Sequence, residues 1–240
     1  KNGDDDVFGF GQLIGILKKN PKKIVFTEGE DPRILEASSR LLASYFLHPI
    51  LIGDEKRIAD AAEESGFNIR GAEIIDPEKF DKIDEMVELY CELRKKKGVT
   101  PDQAREVLKQ ANYFGTMLVK MGFADALLGG ATYSTADTVR PALQLIKTKP
   151  GNNLVSSCFI LVRPSATGDN EVLAMGDCAI NINPTEDDLV EIAGETAKCA
   201  RIFDVDPKIA FLSYSTHGSG KGEAVDKMRN AAQKTKEKYP

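Results

Sequence analysis

Across the first 148 residues, short apolar runs alternate with segments whose apolar positions recur every three or four residues. Residues 23–27 (Lys-Ile-Val-Phe-Thr) predict a buried strand, and Glu28-Gly29-Glu30-Asp31-Pro32 the turn that ends it. Pro32 suits the first position of a helix, and Ile34, Leu35, Ser38, Leu41 and Leu42 then follow helical spacing. Residues 49–53 predict a second strand, followed by a polar helix with Ile58, Ala61 and Ala62 on one face. Residues 72–76 predict a third strand. Two longer helices are expected over 81–97 and 102–121. Between them Thr100 and Gln103 fit a capping box, with Pro101 at the first helical position. Residues 124–129 return to the sheet. Strands that alternate with helices in this way call for a parallel sheet covered by helices.

The texture changes after Lys147, where Lys149-Pro150-Gly151-Asn152-Asn153 is rich in turn formers. Strands are predicted in close succession over 155–162, 171–175 and 178–182, then a helix over 185–203. A further strand is predicted over 208–213, and a helix from Glu223 to the end. The expected fold class is α/β: two α/β domains, 1–148 and 149–240, with largely parallel or mixed sheets covered by helices.

Composition narrows the function. Hydrophobic residues make up 42% and charged residues 29%, as in soluble globular proteins, and the net charge is −5. That balance lacks the basic footprint of a general nucleic-acid binder. No apolar run approaches a membrane span, and the acidic start at residues 1–6 is unlike a secretory signal, so the expected compartment is the cytoplasm. Cys91, Cys158, Cys178 and Cys199 form no C-x-x-C pair, and neither His48 nor His217 lies at metal-ligand spacing from a cysteine. The thiols are therefore expected to be small, buried and inert. Asp125 and Asp177 sit at strand ends without a second carboxylate at useful spacing, so no metal is assigned.

Candidate chemistry lies in the loops after the strands, where open α/β sheets bind ligands. Three are polar and glycine-containing: 28–33, 129–140 and 213–221. In the second, Gly129-Gly130-Ala131-Thr132-Tyr133-Ser134-Thr135-Ala136-Asp137-Thr138-Val139-Arg140 joins a strand to a helix. Ser134 or Thr135 can cap that helix while free N–H groups face an anion, and Arg140 can add charged donors. The plainer alternative is that the hydroxyls only cap and Arg140 only pairs with a surface acid. In the third loop, Gly220-Lys221 fails as a P-loop, because Ser215 replaces the first glycine and Gly222 the Mg²⁺-binding hydroxyl residue. Gly9-Phe10-Gly11 fails as a dinucleotide fingerprint, since no strand precedes it and Gly15 is one residue too far. His217 has no positioned acid in the sequence and reads as a loop histidine. Arg94-Lys95-Lys96-Lys97 ends a helix, where cations are favoured, either as a solvated end or with Arg94 turned towards a polyphosphate ligand.

Several segments together resemble the phosphate acetyl/butyryl transferase family, nearer its acetyl branch. They are Glu30-Asp31-Pro32-Arg33, Glu92-Leu93-Arg94-Lys95-Lys96-Lys97-Gly98, Ala124-Asp125-Ala126 through Ser134-Thr135, Thr138-Val139-Arg140-Pro141-Ala142-Leu143-Gln144 and Leu212-Ser213-Tyr214-Ser215-Thr216. The resemblance implies two α/β domains with an active-site cleft between them, and a homodimer. It implies an acyltransferase of acetate metabolism that interconverts acetyl phosphate plus coenzyme A with acetyl-CoA plus phosphate, by direct thiolate attack in a ternary complex. Coenzyme A would be a substrate, with no tightly bound cofactor. The substrate-binding residues implied are Arg33, Arg94 and Arg140 for coenzyme A, with Ser134 and Thr135 beside the acyl phosphate. The family's catalytic aspartate, serine and arginine are expected beyond Pro240, in a C-terminal part that would also complete the first domain. The alternatives are phosphate butyryltransferase, or a non-catalytic acetyl-CoA-binding domain like that of some malic enzymes. An isocitrate-type dehydrogenase would need clustered aspartates for a divalent metal, and none is visible.

Overall fold

The computed structural model describes residues 10–164, 166–167, 170–216 and 218–240. The chain divides into two compact units, Gln12–Lys147 and Thr148–Pro240, and Phe10 and Gly11 group with the second. Phe10 does so through an edge-on contact with Phe203, ring centroids 5.3 Å apart.

The first unit is built on four parallel strands. They are β1 (Lys22–Phe26), β2 (Leu47–Ile52), β3 (Glu73–Ile75) and β4 (Ala126–Leu128), in the order β3-β2-β1-β4. Alternation along the strands feeds two cores. Val25, Ile50 and Ile52 face Met86, Tyr90, Leu108, Phe114, Met117, Leu118 and Leu145. Phe26 and Leu51 face Ile34, Leu35, Ile58 and Ala62. Because both faces are covered, β1 and β2 read as continuous apolar runs. Each fully buried large side chain adds roughly 1.5–3 kcal/mol of transfer free energy.

The covering helices start where the sequence predicts. The first, α1 (Gly11–Lys19), is the exception: it buries no residue, and its two glycines give a weak helical signal. In α2 (Pro32–Ser44), Asp31 caps by accepting from the Arg33 N–H, and α3 (Glu55–Ser65) is capped by Asp54. After α4 (Ile83–Leu93) and a 3₁₀ turn at Lys95–Lys97, Thr100 and Gln103 form the expected capping box on α5 (Pro101–Val107). The single helix expected over 102–121 is instead two, α5 and α6 (Ala111–Lys120), broken by the extended Gln110. A straight helix would place Leu108 and Phe114 about 120° apart, and the break buries both in one core. In α6, Gly115 faces β1 and β4. A Cβ there would stand 2.9 Å from Leu127 Cδ1 and 3.0 Å from Val25 Cγ1, so glycine permits the close approach. After β4 come α7 (Thr135–Pro141) and a π-helical segment, Ala142–Ile146.

In the second unit, β5 (Cys158–Pro164) and β6 (Asn170–Gly176) form an antiparallel hairpin, followed by α8 (Glu186–Ile202) and α9 (Glu223–Lys238). The strand expected over 178–182 is not present. The Asp177 carboxylate accepts from the N–H groups of Ala179, Ile180 and Asn181 at 3.0–3.1 Å, and from Ser157 Oγ and Asn181 Nδ2. Those N–H groups are thereby withheld from any ladder, and the chain winds round one side chain. Residues 208–213 also pair with no strand among the described residues, and Ile209 and Leu212 stand exposed. The mixed sheet expected for this unit is thus a two-stranded ribbon with helices. The cysteines depart from expectation as well: Cys178 is exposed, and Cys91, Cys158 and Cys199 are only partly buried. His217 lies outside the described residues.

Partial burial works to raise the Asp177 pKa, but the hydrogen bonds from Ser157, Ile180, Ala179 and Asn181 outweigh it. They bring the group from 3.8 to about 2. A lowered folded pKa stabilises above the unfolded value and is lost as the pH falls through the folded one. Asp177→Asn should therefore cost about 2 kcal/mol at pH 7. The wild-type advantage should shrink between about pH 4 and pH 2. Urea titrations followed by circular dichroism check this, since the chain has no tryptophan. A variant as stable as wild type at pH 7 would show that Asp177 does not hold this turn.

Candidate functional site

In the first unit, β1 has β2 on one side and β4 on the other, so the connections leave in opposite directions at the β1–β4 boundary. The loops after these two strands meet at their carboxyl ends, where a crevice opens in such sheets. Glu28, two residues past β1, accepts from the N–H groups of Gly130 (2.8 Å), Ala131 (2.9 Å) and Thr132. Partial burial opposes its ionisation, but the bonds from Thr132, Ala131 and Gly130 prevail and hold the carboxyl below its usual range. Beside it, buried Thr27 Oγ1 lies 2.5 Å from Tyr133 Oη. Burial is the main cause that raises the Tyr133 pKa, so the phenol stays protonated at neutral pH. A Cβ on Gly129 would overlap both Tyr133 Oη and Thr27 Oγ1, so glycine is required where the loop closes.

The N–H groups of Gly130, Ala131 and Thr132 are thus occupied by an internal carboxylate. Ser134 caps α7 by accepting from the Asp137 N–H at 3.2 Å, and its hydroxyl donates to Asp137 Oδ2 at 2.9 Å. Thr135 opens α7 and is exposed.

The three arginines differ in their partners. Arg33 pairs with Asp31 through Nε (2.9 Å) and Nη2 (2.7 Å), and Nη2 also donates to the Ala131 carbonyl at 2.8 Å. It is thus pinned to the loop that cradles Glu28. Arg140 pairs with Asp137 through Nη1 alone (3.1 Å), is half exposed, and keeps its other donors free of any ion pair. Arg94 stands where α4 ends, beside the Tyr90 hydroxyl, and its Nε is buried without a hydrogen-bond partner. Among the described residues no carboxylate pairs with it. Tyr90 packs edge-on against Tyr113, whose hydroxyl donates to Gln144 Oε1 at 3.2 Å, and Asn112 Nδ2 donates to the Asp137 carbonyl at 2.8 Å. Arg94 is thereby linked through aromatic packing to the segment that follows Arg140. The structure gathers Arg33, Ser134, Thr135 and Arg140 on one loop–helix junction and sets Arg94 behind it.

A cleft of about 710 Å³ opens over β1–β3, lined by Thr27, Glu28, Glu30, Asp54, Asp76 and Thr132 among others. On its β2–β3 side the charges cancel locally: Arg57 meets Glu30 at 2.8 Å, and Lys79 meets Asp54 at 3.2 Å and Asp76 at 3.3 Å. Sequence reasoning missed Glu28, Thr27 and Tyr133 as loop-fixing residues. An acid directly after an apolar strand was the available signal for Glu28, but its partners lie 102–104 residues away. Among the described residues no group of three or more histidine, cysteine or acidic side chains is placed to hold a metal.

A parallel sheet with helices on both faces and loops meeting at a β1–β4 switch point defines an open α/β fold. The family model for phosphate acetyl/butaryl transferase matches residues 10–240, and the chain belongs to that family. The phosphate acetyltransferase of Bacillus subtilis is 48% identical over 218 residues, covering 91% of this chain and 66% of that protein. That of Thermoanaerobacterium thermosaccharolyticum is 44% identical, covering 95% of this chain and 70% of its own length. A solved phosphotransacetylase from Streptococcus pyogenes superposes with a TM-score of 0.85 at 45% identity, over 95% of this chain and 70% of that one. The chain thus spans about two thirds of the length of these relatives.

Glu28→Ala would leave three loop N–H groups without their acceptor. It should cost about 3 kcal/mol, with Glu28→Gln intermediate because one acceptor remains. Urea titration by circular dichroism measures both, and equal stability of all three proteins would remove Glu28 as the tie between the loops.

Proposed function

We propose that this chain belongs to an enzyme that interconverts acetyl phosphate plus coenzyme A with acetyl-CoA plus phosphate. The observation that carries the proposal, for a chain in this family, is Arg33 and Arg140 at one loop–helix junction, each only partly satisfied by an acid, with Arg94 at the end of α4 paired with no acid among the described residues. Coenzyme A presents several phosphates, and guanidinium forks suit them. In this reading Arg33, Arg94 and Arg140 hold coenzyme A, while Ser134 and Thr135 lie beside the acyl phosphate. Coenzyme A acts as a substrate rather than a resident cofactor.

In the forward step the coenzyme A thiolate attacks the acetyl carbonyl carbon. A carbon–sulfur bond forms, the carbon–oxygen bond to phosphate breaks, and phosphate leaves with the bonding pair. The contribution of the named residues is to hold two anionic substrates together, which lowers the barrier by positioning and by offsetting charge repulsion. Arg33 and Arg140 exchange part of their contact with Asp31 and Asp137 for substrate phosphate, so binding is a swap between anions. Among the described residues no helix is long and apolar enough to cross a membrane. Small, charged substrates suit an enzyme of the cytoplasm, working as a homodimer.

Thioester formation from acetyl phosphate and coenzyme A tests the proposal on the whole enzyme, with the part expected beyond Pro240 included, and absence of turnover there would overturn it. Arg140→Ala should weaken coenzyme A about tenfold, equivalent to about 1.4 kcal/mol. Its exposed ion pair adds little to folding, so thermal stability should barely change. Titration calorimetry reads the binding, and an unchanged dissociation constant would remove Arg140 from the site.

A further inference from the structure

The second unit brings together two thiols that are far apart in sequence. Cys158 opens β5 and is paired in register with Gly176 at the end of β6. Gly176 lies directly on α8: a Cβ there would overlap Thr196 Oγ1, so only glycine lets the strand seat against the helix. Cys199 follows Thr196 by three residues and so occupies the same face of α8 one turn further on. The strand register and the helix turn thus bring Cys158 and Cys199 to the same β5–β6 contact with α8, and both cysteines are free. Cys178, two residues beyond β6, is exposed, and its thiol donates to the Met175 carbonyl at 3.8 Å.

We propose that Cys158 and Cys199 form an oxidation site, a dithiol that hydrogen peroxide converts into a disulfide joining the β5–β6 hairpin to α8. Burial first, and the neighbouring Cys199 thiol second, push the Cys158 thiol up to about 11, so at neutral pH it is held protonated and is a poor nucleophile. The Cys199 thiolate therefore attacks one peroxide oxygen. The oxygen–oxygen bond breaks, hydroxide leaves, and Cys199 becomes a sulfenic acid. The Cys158 thiolate then attacks the Cys199 sulfur. A sulfur–sulfur bond forms and the sulfur–oxygen bond breaks, releasing a second hydroxide. The two thiol protons convert the hydroxides to water. The dithiol loses two electrons and peroxide gains them. The bond closes a covalent loop through β5, β6 and most of α8, which restricts the unfolded chain and stabilises this unit.

The test exposes the protein at neutral pH to hydrogen peroxide, alkylates the remaining thiols, and maps peptides by mass spectrometry without reduction. The expected result is the loss of two hydrogen atoms, a Cys158–Cys199 cross-linked peptide, and a higher Tm that dithiothreitol reverses. Cys178→Ala should still form the bond. Cys158→Ala should stop at a sulfenic acid on Cys199 that dimedone traps. A cross-link that uses Cys178, or sulfinic and sulfonic acids on Cys158 and Cys199 with no cross-link, would overturn the proposal.

Discussion

The first unit depends on a single buried-edge interaction, the Glu28 carboxylate held by three consecutive N–H groups of the loop after β4. Parallel strands do not join their own neighbours, so the ends of β1 and β4 need something else to set their loops relative to each other. A carboxylate suits this because it accepts from several donors at once and gains from each while ionised. With Thr27 and Tyr133 bonded alongside, the loop is closed from both ends. The position of Arg33 follows, since it bonds to the carbonyl of Ala131 inside the same loop.

Charge in this region is compensated before any ligand arrives. Asp31 both caps α2 and holds Arg33, and Asp137 is bonded to Ser134 while it meets Arg140. Each acid thus does a structural task and keeps an arginine oriented. In the proposed function, an incoming phosphate would find donors already aimed and would displace only part of an exposed ion pair, which is weak in water. Arg94 differs because its guanidinium has no acid among the described residues and is fixed by packing near Tyr90. An unpaired, partly buried cation gains more from an anion than a paired, exposed one does.

The second unit uses the same device for a different end. Glu28, just after β1, gathers three N–H groups from the loop after β4, whereas Asp177, just after β6, gathers three of its own turn. Its cost is a strand: the apolar residues of 178–182 carry a strand-like pattern, yet Ile182 is fully exposed. On the ribbon itself, Phe159 opposes Met175 and Leu161 opposes Leu173, and all four are substantially exposed, while Gly176 seats the other side on α8.

Much of the architecture was legible along the chain because it is local. Apolar runs buried on both faces marked β1 and β2, Pro32 marked the start of α2, and the Thr100–Gln103 box with Pro101 marked that of α5, through signals that act within three residues. The resemblance carried by Arg33, Arg94, Ser134, Thr135 and Arg140 pointed to the family that the chain belongs to. What escaped was set by partners distant in sequence or by competition for backbone donors. The break at Gln110 reflects the need to bury Leu108 and Phe114 together, and the missing strands reflect Asp177 and the lack of a pairing edge. The occupied N–H groups of the glycine loop could not be foreseen, since Glu28 lies 102 residues from Gly130. The sequence by itself determined the strands and most of the helix starts of the first unit, because spacing and capping act over a few residues. Only the tertiary structure decided which charges are already paired and which thiols are neighbours, because those depend on how the chain returns to itself.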